Sequence, residues 1–117
     1  MATVLIAEDQ ALQAGLLQSF ICIEHTIVGV AATGDEAIEL AEASDPDVVV
    51  MDIDMPNKSG IQATAEITAI KPDIPVIIST AVVSSDMTDA AFDAGADQLL
   101  TKPYNKEDLL TAIEDAL

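Results

Sequence analysis

Five short runs of apolar, largely β-branched residues alternate with five stretches of helical spacing, and this alternation restricts the fold more than any other feature. The runs are Thr3 to Ala7, Thr26 to Ala32, Val48 to Met51, Val76 to Thr80 and Gln98 to Thr101. Behind them, apolar and small residues recur at helical intervals. Leu12, Leu16 and Phe20 share the first face, and Ala37, Leu40, Ala41 and Ser44 share the second. Ala63, Ile67 and Ile70 share the third, Met87, Ala90, Ala91 and Ala94 the fourth, and Leu109, Ile113 and Leu117 the fifth. Thr33 with Glu36 and Ser59 with Gln62 fit capping boxes, and Asn105 stands where the last helix needs a cap. Pro46, Pro72 and Pro75 fall between elements, where a missing N–H costs least. Such a pattern implies an α/β fold, a parallel sheet with helices on both faces. Its central strands read as apolar throughout, as strands covered on both sides should. In these sheets a ligand sits beyond the carboxyl ends of the strands, where the strand order reverses.

Composition narrows the function. The 117 residues suit one domain, taken as residues 1–117, with enough chain to build a core without disulfides. Against 21 acidic residues stand four lysines and no arginine, for a formal charge of −17. Direct binding to nucleic acid or an anionic membrane is excluded for want of a basic surface. No signal peptide opens the sequence and no apolar run reaches the roughly 18 residues that span a bilayer, so a soluble cytoplasmic protein is expected. Cys22, the only cysteine, lies beside Phe20, Ile21 and Ile23 and reads as a small core residue.

The strand ends hold the chemistry. The first run ends at Glu8 and Asp9, the third at Asp52 with Asp54 close behind, the fourth at Ser79 and Thr80, and the fifth at Thr101 and Lys102. A parallel sheet brings all of these to one edge. Crowded carboxylates repel, and a divalent cation among them relieves the repulsion. A few oxygen ligands with open water positions suit Mg²⁺. A carboxylate such as Asp52 is a competent nucleophile toward phosphorus, and Lys102 and the Thr80 hydroxyl are the groups that phosphoryl oxygens require. Each residue taken singly also fits a plainer role. Asp9 would serve as a helix cap, Glu8 and Asp54 as solvated loop acids, Thr80 as a strand-end residue and Lys102 as a surface lysine. Asp52 is harder to explain away, because it emerges directly from the apolar run Val48 to Met51.

At this point the chain resembles the response-regulator receiver family over its whole length. The resemblance is carried by Val4-Leu5-Ile6-Ala7-Glu8-Asp9, by Pro46-Asp47 through Asp52-Ile53-Asp54-Met55-Pro56 with Gly60, by Val76-Ile77-Ile78-Ser79-Thr80-Ala81, and by Gly95-Ala96-Asp97 with Leu100-Thr101-Lys102-Pro103-Tyr104. It implies a flavodoxin-like (βα)5 doubly wound sheet of five parallel strands in the order 2-1-3-4-5. It also implies a phosphorylation-dependent switch of two-component signalling rather than a turnover enzyme. Asp52 would accept a phosphoryl group from a histidine kinase or histidine phosphotransfer protein and lose it slowly by hydrolysis. Asp9 and Asp52 would bind Mg²⁺ directly, Glu8 through a water, and Asp54 through its backbone carbonyl. Lys102 and Thr80 would contact the phosphoryl group, the Lys102–Pro103 peptide would be cis, and an output domain or effector protein would read the state.

Two features depart from the family pattern. Leu99 stands where the fifth strand often carries a switching aromatic ring. The fourth helix, fifth strand and fifth helix, a frequent dimer face, offer Asp89, Asp93 and Asp97 but only Lys106 as a basic partner, which favours a monomer. Two other readings compete. Asp52-Ile53-Asp54 is also similar to the acid pair of haloacid-dehalogenase-type phosphatases, although the short chain leaves no room for a cap domain. A non-catalytic flavodoxin-like scaffold would leave the acid cluster unexplained.

Overall fold

A computed structural model describes residues 2–56, 58–81 and 84–117. The elements follow the sequence pattern: β1 (Thr3–Ala7), α1 (Ala11–Ile21), β2 (Thr26–Ala31), α2 (Gly34–Ser44), β3 (Val48–Asp52), α3 (Gly60–Ile70), β4 (Val76–Thr80), α4 (Ser85–Asp93), β5 (Gln98–Thr101) and α5 (Lys106–Ala116). All strand pairs are parallel, in the order β2-β1-β3-β4-β5. The order reverses between β1 and β3, so the crevice of a doubly wound sheet falls between their carboxyl ends. No helix among the described residues is long and apolar enough to cross a membrane.

The strand period of two divides the core into two layers. Leu5, Ala7, Val49, Met51, Val76 and Ile78 pack with Ala37 and Ala41 of α2, Ala63 and Ile67 of α3, and Ala91 of α4. Val4, Ile6, Val48, Val50 and Ile77 pack on the opposite side with Leu17 and Ile21 of α1 and Leu109, Ala112 and Ile113 of α5. Every residue of β3 and β4 is buried, which explains why these runs read as apolar without alternation.

Helix starts largely obey the expected capping chemistry. Ser59 and Asn105 form reciprocal boxes with Gln62 and Asp108. At α2 the Thr33 hydroxyl accepts from the Glu36 N–H, but the Glu36 carboxylate reaches one residue further back, to the Ala32 N–H at 2.7 Å. Asp9 does not cap α1. The N-cap is Gln10, without a side-chain bond, and the Gln10 N–H donates to Glu8 Oε2 at 3.2 Å.

Two expectations about α1 fail. Its buried row is Ala14, Leu17 and Ile21, while Leu12 is 91% and Leu16 47% exposed. The helix carries two apolar rows at helical spacing, and only packing against the sheet and α5 selects between them. Cys22 is exposed, because α1 ends at Ile21 and the chain leaves the core there, with Ile23 also on the surface.

Candidate functional site

The strand registers bring the polar strand ends to one edge. Ala7 pairs with Met51, Asp52 with Ser79, and Thr80 with Thr101. Glu8 and Asp9 follow β1, Asp52 and Thr80 end β3 and β4, and Lys102 follows β5. The Lys102 N–H donates to the Thr80 carbonyl at 2.7 Å, which continues the β4–β5 ladder up to the site. The peptide after it, Lys102–Pro103, is cis, in keeping with the family resemblance.

Three carboxylates converge. Glu8, Asp9 and Asp52 each offer an oxygen within 4.8 Å of the others. Glu8 and Asp52 are buried, at 3% and 6% exposure, while Asp9 faces solvent. The Lys102 ammonium lies 3.0 Å from Asp52 Oδ1 and 3.2 Å from Glu8 Oε1, spanning the buried pair. Asp54 is exposed and stands outside this cluster, but it lines the same open cleft of about 380 Å³, with Gln10, Gln13, Ala81 and Pro103. The first turn of α3 presses on the end of β3. A Cβ at Gly60 would overlap the Asp52 carbonyl group, and the Gly60 N–H donates to the Ile53 carbonyl at 2.8 Å. Glycine is required at that position by proximity.

Electrostatics mark Asp52. Burial pushes its carboxyl up to about 6; the Lys102 hydrogen bond pulls the other way, and the Glu8 charge adds to the rise. Burial alone would lower Lys102, but its hydrogen bond to Asp52 and the charges of Asp52 and Glu8 outweigh it and raise the ammonium's pKa. Three carboxylates against one ammonium leave the cluster short of positive charge, and an all-oxygen donor set facing an open cleft fits a hard cation such as Mg²⁺.

The remaining strand-end groups face two directions. Thr80 is buried, and its hydroxyl approaches Met87 Sδ of α4 at 3.8 Å. Leu99 packs into the same layer as Met87, on the α4 side of the sheet. Ser79 donates instead to the Tyr104 hydroxyl at 3.2 Å, and burial raises the pKa of that phenol. Sequence reasoning did not single out Gln10 and Gln13. Their only signal is position, one residue past Asp9 and one helical turn further on.

Comparison with known proteins agrees with this geometry. A sequence profile described as the response regulator receiver domain matches residues 4–114. The transcriptional regulatory protein PdtaR of Mycobacterium tuberculosis is 46% identical over 115 residues, covering 97% of this chain and 56% of that protein. This chain thus spans little more than half the length of that relative. The chemotaxis protein CheY of Halobacterium salinarum is 37% identical over 114 residues, covering 97% of this chain and 95% of its own length. Among solved structures, the chemotaxis protein CheY4 of Vibrio cholerae superposes with a TM-score of 0.93 at 25% identity, covering 100% of this chain and 99% of that one. With a flavodoxin-like sheet, an acid cluster at its switch point and a profile match over nearly every residue, the chain belongs to the response regulator receiver domains of two-component signalling.

Proposed function

We propose that this domain is a phosphorylation switch whose acceptor is Asp52. The observation that carries the reading is the buried Asp52 carboxylate, held 3.0 Å from the Lys102 ammonium within a cluster of acids at the mouth of the sheet. An Asp52 carboxylate oxygen attacks the phosphorus of a phosphohistidine on a histidine kinase or histidine phosphotransfer protein. The P–N bond breaks, its electron pair stays on the imidazole, and an acyl phosphate forms on Asp52. Mg²⁺, when bound, offsets negative charge on the transferring oxygens.

Asp9 and Asp52 would hold the ion directly, Glu8 through water, and Asp54 through its backbone carbonyl. Lys102 would keep its place beside Asp52 and turn its charge to a phosphoryl oxygen. The Thr80 hydroxyl would leave Met87 to donate to another, which carries the change of state toward α4. Water attack on phosphorus then slowly breaks the bond from phosphorus to the Asp52 oxygen, which releases inorganic phosphate and returns the free carboxylate. An output domain or effector protein reads the phosphorylated form.

Incubation with a small acyl phosphate and Mg²⁺, followed by intact-protein mass spectrometry, tests the reading. One phosphoryl group should appear, decay slowly, and be absent in Asp52→Asn. Catalytic release of many equivalents of phosphate would instead mark a phosphatase, and no reaction at all would leave only a scaffold.

A further inference from the structure

Lys58 makes contacts that the site chemistry does not use. It lies in the connection that carries Asp54 from the end of β3 at Asp52 to Ser59, the N-cap of α3. Its ammonium is 3.1 Å from Asp35 Oδ1, in the first turn of α2, and also pairs with Glu66 of α3. The Lys58 side chain is only 24% exposed, against 61% for Asp35 and 49% for Glu66. The backbone is held as well. A Cβ at Gly34, the first residue of α2, would lie 2.7 Å from the Lys58 carbonyl oxygen and 2.8 Å from its Cβ, so α2 begins in direct contact with this residue. The Lys58 N–H donates to the Pro56 carbonyl at 2.8 Å. One residue thus joins α2, α3 and the connection that carries Asp54, in a chain with only four lysines and no arginine.

We propose that Lys58 is a positioning residue for the cation site: by strapping the β3–α3 connection to α2 and α3, it fixes the segment from which Asp54 lines the cleft beside the acid cluster. The inference rests on the proposed Mg²⁺ site and adds a residue outside it. Its direction opposes simple electrostatics. Removing a positive charge near a cation site strengthens cation binding through Coulomb's law, whereas releasing a strap disorders one ligand and weakens it. The two effects differ in sign, so one titration decides between them.

Mg²⁺ affinity should be measured by calorimetry at low ionic strength for the unaltered chain, Lys58→Met and Lys58→Arg. Methionine keeps an unbranched stem against Gly34 and removes the charge. We expect Lys58→Met to bind Mg²⁺ about threefold to tenfold more weakly, and Lys58→Arg to bind within about twofold of the unaltered chain. Asp35→Asn with Glu66→Gln should weaken binding too, and should add little in the Lys58→Met background. Urea unfolding without metal gives a readout of a merely structural role. Lower stability of Lys58→Met with unchanged Mg²⁺ affinity overturns the inference, and so does tighter binding. Failure of the unaltered chain to bind Mg²⁺ overturns the site and the inference together. Normal Mg²⁺ binding and Asp52 phosphorylation in every variant overturns the inference alone.

Discussion

At the scale of the residue, Asp52 is held in a form that favours its proton. Burial outweighs the Lys102 hydrogen bond and pushes its carboxyl up to about 6, against 3.8 in a solvated chain. An acid whose folded pKa is raised costs stability wherever it is ionised in both states. The cost is complete above about pH 6, shrinks as the pH falls through 6, and is gone below the unfolded pKa. In metal-free protein at pH 7, Asp52→Asn should therefore raise stability by about 1–3 kcal/mol. That advantage should fade toward zero near pH 4, as thermal melts of both proteins across the range will record; a gap that stays constant with pH sinks this account. The convergence of the candidate residues was legible because each one closes or follows a strand: Asp52 and Thr80 end β3 and β4, and Lys102 follows β5. The Lys58 contacts were not legible. Asp35 and Glu66 are among many acids on helix surfaces, and only the packing of α2 beside α3 brings both to one ammonium.

At the scale of the element, the sheet was easier to read than the helices. The expected bounds of β1, β4 and β5 agree with the observed strands, and β2 and β3 differ by one residue at an end. A strand buried on both faces admits no choice of side, whereas α1 presents two rows and the sequence alone does not rank them. Leu12 and Leu17 differ in fate for this reason, with 91% and 3% exposure. Leu17→Ala should cost about 2–5 kcal/mol in urea unfolding, since it empties space between α1, β1 and α5. Leu12→Ser should stay within about 0.5 kcal/mol of the unaltered chain, as a surface change does. Equal losses at both positions would mean that α1 is rotated from the orientation described. The α4 side would bear on the proposed switch. Leu99 and Met87 share one layer beside Thr80, so on the proposed reading a threonine turning to a phosphoryl group would leave a thioether and an aliphatic chain to repack without a ring. Flexible side chains such as methionine fill such space at low cost.

At the scale of the molecule, a charge of −17 acts on everything else. Asp89, Asp93 and Asp97 are exposed on the α4–β5 side, and Glu107, Asp108 and Asp115 on α5, with Lys106 as the only lysine in these elements. Two copies meeting there would place like charges together, so sedimentation at micromolar concentration and low salt should give a monomer; a compact dimer would count against it. The same charge complicates any test of the cation site. Ordinary salt relieves diffuse repulsion and raises the melting temperature of an acidic protein without binding anywhere in particular. A site-bound cation adds a second contribution, because a ligand that binds only the folded state stabilises it in proportion to RT ln(1 + [L]/Kd). Millimolar MgCl2 should therefore raise the melting temperature more than NaCl of matched ionic strength. The excess should shrink in Asp52→Asn, which lacks one of the clustered carboxylates, while the NaCl response stays nearly unchanged, since one charge in so many barely alters the diffuse field. Equal shifts in the two salts would reduce Glu8, Asp9 and Asp52 to a region of high charge density. An excess that survives Asp52→Asn in full would place the cation elsewhere on the surface.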